Sequence, residues 1–219
     1  PFFSVIIVNY NAGDMLQDAV NSLKHQTFKN FEVLIVDNDS QDQPLGELDL
    51  DGLSQVRVLR EKVNQGFAKG NNLAAEHANG KWLALLNPDA TANPNWLAEI
   101  HKATKRHESC RVFACGQINM DEPELLDGAG DAYFAFGIPW RGGFEHPISE
   151  LPAQDSLCFS PCGASAVYDR QLFLDIGGFD ERFFCYCEDV DLGLRLQLSD
   201  EHCVFLPDAI IHHKGSATS

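Results

Sequence analysis

The sequence is poor in positive charge. Its 219 residues include 16 Lys and Arg against 32 Asp and Glu, which gives a formal net charge of -16. No stretch gathers Lys or Arg into a cluster. This pattern argues against a nucleic-acid surface and gives no support to a polybasic membrane anchor. An acidic protein that handles a phosphorylated ligand needs a metal ion or helix N-termini to offset the like charges.

Long apolar runs are also missing. No segment reaches the length of a membrane helix, and no signal peptide is visible. The seven cysteines are odd in number and widely spread, which predicts reduced thiols and not a disulfide framework. We therefore expect a cytoplasmic protein, with any contact to the inner face of the membrane made through segments outside this sequence. The absence of an initial Met and the ending at Ser219 fit a part of a longer protein, truncated at its carboxyl end.

Paired CxxC motifs are absent as well. Cys158-x3-Cys162 and Cys185-x-Cys187 do not have the spacing of a structural zinc site. With 44% hydrophobic residues, the chain has enough apolar material for the core of one large domain.

Apolar runs and helical repeats alternate along the chain, which predicts an α/β fold. The predicted strands cover residues 2–8, 31–36, 56–59, 82–86, 111–118, 161–168, 204–206 and 209–211. The predicted helices cover residues 15–23, 73–77, 96–104 and 170–176, and a further helix starts near residue 188, with Val190, Leu194 and Leu198 on one face. Residues 119–156 show no period, and either a flap over a ligand or a small hairpin packing its own aromatics would explain them.

The stretch from Lys81 to Asp89 is central to this pattern. Its apolar run ends at Leu86, and Pro88 cannot donate to a sheet, so strand pairing should end near Asn87. Asp89 then follows the carboxyl end of a buried strand, where ligands bind in open α/β sheets. A carboxylate there suits a divalent cation held against a phosphate. An Asp that only initiates a turn is the other interpretation.

Further polar groups are expected near the same edge. Asp37 ends the second strand, where it would accept hydrogen bonds from a nucleoside or form an Asx turn. The Gly-rich residues 64–72 are expected to form a loop whose N–H groups face an anion, although the P-loop ending is absent. Glu188 and Asp189 begin a helix after an aromatic wall, either as dipole partners or as a general base shielded from solvent. His212 and His213 are metal-ligand candidates or surface residues.

Taken in order, these motifs resemble the inverting glycosyltransferases of family 2, which have the GT-A fold, and within them the rhamnosyltransferase-like branch. The resemblance extends over essentially all 219 residues. It rests on Ser4-Val-Ile-Ile-Val-Asn-Tyr-Asn11, Val36-Asp-Asn-Asp-Ser40, Asn64-Gln-Gly-Phe-Ala-Lys-Gly-Asn-Asn72, Leu86-Asn-Pro-Asp89, Gly177-Gly-Phe-Asp-Glu181, Glu188-Asp-Val-Asp-Leu192 and His213-Lys-Gly-Ser-Ala-Thr218.

The resemblance implies a role for each matched residue. It implies a single GT-A domain, with a Rossmann-like mixed central sheet, whose residues 1–118 bind the nucleotide and whose residues 119–219 bind the acceptor. The implied nucleotide-binding residues are Val8, Tyr10, Asp37, Asn64, Gly66, Asn71 and Asn87. Asp89 and His213 would hold Mg²⁺ or Mn²⁺, and Asn87 replaces the first acid of the family's Asp-x-Asp. Asp189 would deprotonate the acceptor hydroxyl, with Glu188 as its supporting neighbour.

The implied reaction moves a sugar from dTDP-rhamnose or a UDP-sugar to a hydroxyl of a glycan or lipid-linked acceptor. Two other classes remain open. A non-catalytic module of the same fold would bind a nucleotide-sugar or a glycan, and the Asn87 replacement favours it. A sugar-nucleotide nucleotidyltransferase would be expected to carry a Gly-rich basic signature near the first strand, but residues 9–13 contain no Lys or Arg.

Overall fold

The computed structural model of the chain describes residues 1–42, 45–134 and 136–215. The strands are β1 Phe3–Asn9, β2 Phe31–Asp37, β3 Val56–Arg60, β4 Trp82–Leu85, β5 Ala90–Ala92, β6 Val112–Asn119, β7 Leu126–Gly128, β8 Asp131–Tyr133, β9 Pro139–Arg141, β10 Ser156–Cys158, β11 Ala166–Asp169 and β12 Cys203–His213. The α-helices are α1 Asp14–Lys24, α2 Gly66–His77, α3 Trp96–Arg106, α4 Arg170–Asp175 and α5 Glu188–Leu198. Short 3₁₀ turns cover Leu45–Glu47, Ile148–Glu150, Gly163–Ser165 and Glu181–Phe183.

One mixed, mostly parallel sheet joins the two halves of the chain. Across the described ranges it contains ten strands, in the order β10-β12-β6-β11-β4-β1-β2-β3, with β5 beside β12 and β7 beside β6. β1, β2, β3 and β4 run parallel, and β6 and β12 run the same way because β11 is antiparallel to both β4 and β6. The carboxyl ends of these parallel strands therefore meet at a single edge.

Helices cover both faces of this sheet. α1 and α3 pack on one face, where Trp96 is fully buried, and α2, α4 and α5 pack on the other. Strands covered on both sides have no polar face, which is why the centres of β1, β2 and β4 are the apolar runs 5–8, 33–36 and 82–85. The predicted α/β class is confirmed. No helix within the described ranges is long and apolar enough to cross a membrane.

The Gly-rich segment is not the loop that the sequence predicts. Helix α2 begins at Gly66 and not at residue 73, so most of residues 64–72 are helical. A Cβ on Gly70 would lie 2.7 Å from Val8 Cγ1, and a Cβ on Gly66 would lie 2.4 Å from the Phe184 carbonyl oxygen. These glycines allow α2 to pack directly on β1 and on the segment before α5. Glycine lowers helix propensity, and here tertiary packing outweighs that preference.

The second half of the chain differs from the sequence prediction in two further places. Gly163–Ser165 is a 3₁₀ turn, so the strand begins at Ala166 and not at residue 161, and it ends at Asp169, one residue beyond the predicted end. The two predicted late strands are one strand, β12, interrupted by an irregular register between Leu206 and Ile210. Bulges and tight turns of this kind depend on neighbouring strands, which a sequence period does not report.

Helix α5 does not pack on the core through the face that carries its most regular apolar repeat. Leu194 and Leu198 are exposed, whereas Leu192 and Leu196 are buried against the sheet. Leu194 and Leu198 of the repeat therefore mark the outer side of the helix, whereas Val190 is partly buried. The irregular residues 119–156 contain the β8–β9 hairpin, in which Phe134 packs on Trp140 with ring centroids 5.3 Å apart. The hairpin interpretation is confirmed; strand β9 also borders a cavity, and a flap over a ligand stays a prediction.

The amino edge of the sheet is closed by a buried carboxylate. Glu32 accepts hydrogen bonds from Ser4 Oγ at 2.6 Å and from the Asn79 backbone N–H at 2.6 Å, and it pairs with Arg57 at 2.8 Å. Burial alone raises the pKa of Glu32, but the hydrogen bonds from Ser4 and Asn79, together with Arg57, outweigh it and hold the pKa below its usual value. Glu32 therefore joins β1, β2 and β3 as an ionised, fully partnered group.

We expect Glu32→Gln to lower the free energy of unfolding by about 1–3 kcal/mol, because it removes charge-assisted hydrogen bonds from a buried site. Urea denaturation at pH 7 measures the loss. A lowered pKa gives stability that is present above the unfolded value of 4.5 and is lost as the pH falls below it. The difference between the two proteins should therefore shrink in acid.

Asp49→Asn is the matched control. Asp49 also pairs with a cation at 2.8 Å, that of Lys24, but its side chain is 63% exposed. Solvent screens such a pair, so the free energy of unfolding of this variant should be close to that of wild type. Equal losses in the two variants would contradict the role of burial at Glu32.

Candidate active site

A cavity of about 650 Å³ opens at the carboxyl edge of the sheet. Its walls come from the ends of β1 and β4, the start of α2, the β8–β9 hairpin, residues 162–164 and the segment that leads into α5. The lining residues are Val8, Tyr10, Asn38, Asn64, Gly66, Phe67, Asn87, Pro88, Asp89, Asp131, Pro139, Trp140, Arg141, Cys162, Gly163, Ala164, Phe184, Cys185, Tyr186, Cys187, Glu188, Asp189, Val190 and His213. This is the edge at which open α/β sheets bind ligands.

One end of the cavity joins the ends of β4 and β12. His213 Nε2 lies 3.3 Å from Asp89 Oδ1 and 3.3 Å from Asn87 Nδ2. The other ring nitrogen, Nδ1, lies 2.8 Å from Asp127 Oδ2. Burial lowers the pKa of His213, but the hydrogen bonds with Asp127 and Asp89 outweigh it and raise the pKa to about 9. Asp127 thereby orients the imidazole so that Nε2 faces Asp89.

The potential metal ligands at this end suit a divalent cation whose coordination is completed by a bound substrate. Within the described ranges, no three His, Cys, Asp or Glu side chains form a complete metal-binding group. The buried Asn87 Oδ1, however, has no hydrogen-bond partner in the described part of the chain. With the Asp89 carboxylate and His213 Nε2 it offers an oxygen-rich partial set. Mg²⁺ is commonly held by one or two carboxylates while substrate phosphates complete the coordination.

Two further carboxylates of the cavity lining lie at the start of α5. Asp189 Oδ2 accepts a hydrogen bond from the Gly163 N–H at 2.7 Å, and Oδ1 accepts one from the Val190 N–H at 2.8 Å. Burial raises the pKa of Asp189, and these N–H groups partly oppose the rise. Glu188 is only 4% exposed. Burial, followed by the charge of Asp189, raises the pKa of Glu188 to about 7.

The backbone just before these carboxylates is strained. Phe184, Tyr186 and Cys187 have φ values of 54°, 74° and 67°, in the left-handed region that non-glycine residues rarely adopt. The Phe184 carbonyl accepts a hydrogen bond from the Ala68 N–H at 3.2 Å, which ties the segment to α2. Such conformations persist only where the surroundings enforce them, and they concentrate at functional sites. The predicted aromatic wall lines the cavity; Phe184 and Tyr186 are themselves about half exposed, whereas Glu188 is buried.

The β8–β9 hairpin contributes charged groups that sequence reasoning missed. Asp131 is buried and accepts a hydrogen bond from Ser160 Oγ at 3.3 Å. Burial and the charge of Asp189 raise the pKa of Asp131 to about 8. Arg141 Nη1 lies 2.8 Å from Asp127 Oδ2. The available signal was the placement of these charged residues next to glycines, in Asp127-Gly-Ala-Gly-Asp131 and Arg141-Gly-Gly143, inside a segment without any period.

Most of the residues singled out from the sequence lie in this one cavity. They are Val8, Tyr10, Asn64, Gly66, Asn87, Asp89, Glu188, Asp189 and His213. The sequence reasoning did not identify Asn38, which also lines the cavity and donates a hydrogen bond from Nδ2 to the Gly66 carbonyl at 3.0 Å.

Asp37 and Asn71 do not line the cavity. Asp37 Oδ1 accepts hydrogen bonds from Asn9 Nδ2 at 3.4 Å and from the Ser40 N–H at 3.3 Å. Asn71 is buried in α2 and donates to the Phe67 carbonyl at 2.9 Å. His212 lies within 3.2 Å of Asn93 Oδ1 and is outside the cavity lining. The last residues of the final motif, 216–218, fall outside the described residues.

Comparison with known sequences agrees with this architecture. Residues 4–174 match the family described as Glycosyl transferase family 2. The N-acetylglucosaminyl-diphospho-decaprenol L-rhamnosyltransferase of Mycobacterium tuberculosis (strain ATCC 25618 / H37Rv) is 28% identical over 240 residues, which cover 98% of this chain and 76% of that protein. The O-antigen biosynthesis protein RfbC of Myxococcus xanthus is 31% identical over 236 residues, which cover 99% of this chain and 18% of that protein.

Solved structures share the fold at lower identity. The structure of GalNAc-T7 with UDP, GalNAc and Mn²⁺ has a TM-score of 0.76 and 20% identity, and the match covers 96% of this chain and 43% of that one. The mannosyltransferase PcManGT from Pyrobaculum calidifontis, in complex with GDP-Man and Mn²⁺, has a TM-score of 0.73 and 16% identity, with coverage of 100% and 59%. The resemblance inferred from the motifs is confirmed: the chain belongs to glycosyl transferase family 2, and its fold is the GT-A fold.

Proposed function

We propose that this chain is an inverting glycosyltransferase that moves a sugar from a nucleoside-diphosphate donor to a hydroxyl of a glycan or lipid-linked acceptor. One observation carries the proposal. A single cavity is lined both by a candidate cation site, Asp89 with His213, and by a separate, firmly held carboxylate, Asp189. Displacement of a diphosphate from a sugar needs these two functions on opposite sides of the reacting carbon.

The donor would lie along the ends of β1 and β4. Val8, Tyr10 and Asn38 line this part of the cavity, and we assign them to the nucleobase and ribose. Residues 1–118 then provide most of the nucleotide side and residues 119–219 most of the acceptor side, with His213 as a contribution across the boundary. A mycobacterial relative is named as a rhamnosyltransferase, which favours dTDP-rhamnose here, and UDP-sugars are the other donor class.

Mg²⁺ or Mn²⁺ is the proposed cofactor. When bound, the ion would neutralise the negative charge that builds on the leaving diphosphate. Asp89 and His213 would hold it, and Asp127 would keep the imidazole in the tautomer that leaves Nε2 available. Mn²⁺ is named with UDP and GalNAc in the GalNAc-T7 structure and with GDP-Man in the PcManGT structure, which supports the proposal.

Asp189 is the proposed general base. It would take the proton of the acceptor hydroxyl while that oxygen forms a bond to C1 of the sugar and the bond from C1 to the diphosphate oxygen breaks. Attack from the side opposite the leaving group inverts the configuration at C1. The Gly163 and Val190 N–H groups hold the carboxylate in one orientation. A positioned base of this kind contributes roughly 10²–10⁴-fold to a rate.

The acceptor side is the more open part of the proposal. The name of the mycobacterial relative includes a diphospho-decaprenol, which makes a lipid-linked saccharide one acceptor class to test. A cytoplasmic location, at the inner face of the membrane through segments outside this sequence, stays a prediction. The alternative function is a non-catalytic module that binds a nucleotide-sugar or glycan, and the amide of Asn87 in place of an acid favours it.

The first expected outcome concerns the cation site. In a thermal-shift titration with UDP, dTDP and GDP, each with and without Mn²⁺, one nucleotide should raise the melting temperature in a metal-dependent way. A ligand at about 100 times its dissociation constant adds roughly 2.7 kcal/mol of stability. Asp89→Ala should lose this shift, because it removes the carboxylate that neighbours His213 Nε2.

Asp208→Ala is the control for this titration, since Asp208 is an exposed carboxylate on the same strand as His213. It should keep the full shift. The metal role of Asp89 fails if Asp89→Ala retains a metal-dependent shift of wild-type size. If no nucleotide stabilises the wild type, the glycosyltransferase proposal itself loses its support.

The second expected outcome concerns the base. Asp189→Asn should lower sugar transfer by roughly 10²–10⁴-fold while nucleotide binding stays intact, since only proton transfer is removed. Release of nucleoside diphosphate from dTDP-rhamnose and UDP-sugars, with a panel of saccharide acceptors, measures the rate. Asp191→Asn is the matched control, because Asp191 belongs to the same helix turn but pairs with Arg195 at 2.9 Å. Retained turnover, or lost nucleotide binding, in Asp189→Asn would refute the assignment.

The third expected outcome uses the pH dependence of stability. A carboxyl whose folded pKa is raised contributes stability below its unfolded pKa, and that contribution is lost as the pH rises through the folded value. For Glu188 this window runs from 4.5 to about 7. In urea denaturation, the free energy of unfolding of Glu188→Gln should therefore be close to that of wild type at pH 5 and higher than that of wild type at pH 8. If the variant and wild type differ in free energy of unfolding by the same amount at both pH values, Glu188 is not held in its protonated form.

A further inference from the structure

We propose that Arg141 binds the diphosphate of the donor and supplies the fixed positive charge that faces the leaving group. The inference rests on the proposed function and adds a residue that neither the sequence motifs nor the comparisons assign. It follows from three observations: the charge balance of the cavity, the contacts of the Arg141 side chain, and the way residues on either side of the hairpin hold that side chain in place.

The cavity has little positive charge to receive a diphosphate. Four acidic side chains line it, those of Asp89, Asp131, Glu188 and Asp189. Arg141 is the only Lys or Arg among the described residues of the lining. Glu188 and Asp131 hold protons more strongly than usual, but the cavity still offers an anionic ligand mainly like charge. A diphosphate bound there needs a cationic partner, and the protein provides one candidate besides the proposed ion site.

The contacts of Arg141 set its position relative to that site. Its Nη1 and the Nδ1 of His213 each lie 2.8 Å from the same oxygen, Asp127 Oδ2. The two nitrogens are therefore at most 5.6 Å apart, twice that distance. Because Nε2 of the same ring faces Asp89, Arg141 neighbours the proposed ion site across one imidazole ring, and we expect a phosphate of the donor to reach it.

Nη1 is the one guanidinium nitrogen that contacts the described protein groups. Nη1 donates hydrogen bonds to both the carboxylate and the carbonyl of Asp127. Among the described residues, Nε and Nη2 have no hydrogen-bond acceptor, and neither is a buried atom without a partner. These two N–H groups form the fork that binds two phosphate oxygens at once.

Residues on either side of the hairpin hold the side chain in this position. A Cβ on Gly128 would lie 2.8 Å from Arg141 Cδ, so glycine in β7 leaves the room that the arginine stem occupies. The guanidinium also lies over the Phe144 ring, 5.7 Å from its centroid. A charged group fixed before the ligand arrives loses less conformational freedom on binding.

The test separates the diphosphate from the rest of the nucleotide. Isothermal titration measures the affinity of wild type and of Arg141→Gln for UDP, dTDP and GDP and for the matching monophosphates, with EDTA in one series and Mn²⁺ in another. We expect Arg141→Gln to weaken diphosphate binding by about 10- to 100-fold in both series, the range of a lost charge-assisted hydrogen bond. Monophosphate binding should change less than about twofold. Arg141→Lys should recover part of the loss, since it restores the charge but not the fork.

The controls distinguish binding from a structural role. Arg106→Gln removes an arginine that pairs with Asp155 at 2.7 Å outside the cavity, and it should leave both affinities unchanged. Asp127→Asn keeps the guanidinium but weakens its anchor, and it should retain more diphosphate affinity than Arg141→Gln in EDTA. Equal loss of monophosphate and diphosphate binding in Arg141→Gln would overturn the proposal, because it would indicate a disturbed fold.

Two further results would also overturn it, and they separate it from the proposed function. If wild type binds diphosphates and Arg141→Gln binds them equally well, only the Arg141 assignment fails, even where transfer to an acceptor falls. If wild type binds none of the nucleotides, the proposed function fails and the assignment fails with it.

Discussion

The parallel alignment of the central strands is the constraint on which the site depends. Because β1, β2, β4, β6 and β12 run in one direction, residues far apart in the chain end their strands at one edge. Asp89 follows β4 and His213 ends β12, which brings them within 3.3 Å of each other across 124 residues of chain. A shift of the β12 register by one residue would turn His213 to the other side of the sheet and put His212 in its place.

The buried carboxylates at the two edges of the sheet have different surroundings. At the amino edge, Glu32 has a full set of partners and serves as an ionised part of the core. At the carboxyl edge, burial raises the pKa values of Asp131, Glu188 and Asp189, and the charge of Asp189 adds to the rise at Asp131 and Glu188. Groups gathered at this energetic cost, next to a strained backbone, indicate a site shaped for a ligand more than for stability.

Asp127 contacts both the His213 ring and the Arg141 guanidinium at this edge. One of its carboxylate oxygens orients the His213 ring and anchors Arg141. Neither contact is visible in the sequence as a motif, because Asp127 and Arg141 belong to the segment without a period. These contacts therefore become apparent only when β7 and β9 are seen beside the end of β12.

The sequence by itself determined the fold class and one half of the site. Buried strands with apolar residues on both faces are readable as continuous runs, and the break at Pro88 correctly located Asp89 beyond a strand end. The order of motifs also identified the family. Tertiary structure alone decided that the Gly-rich segment is helix, that Asn71 is buried in that helix and that Asp37 lies outside the cavity. It also decided which of the charged residues in 119–156 meet the site. The physical reason is that periodicity reports which residues are buried along one element, whereas a binding site depends on which elements meet, and close packing through glycine or a shared carboxylate leaves no period in the chain.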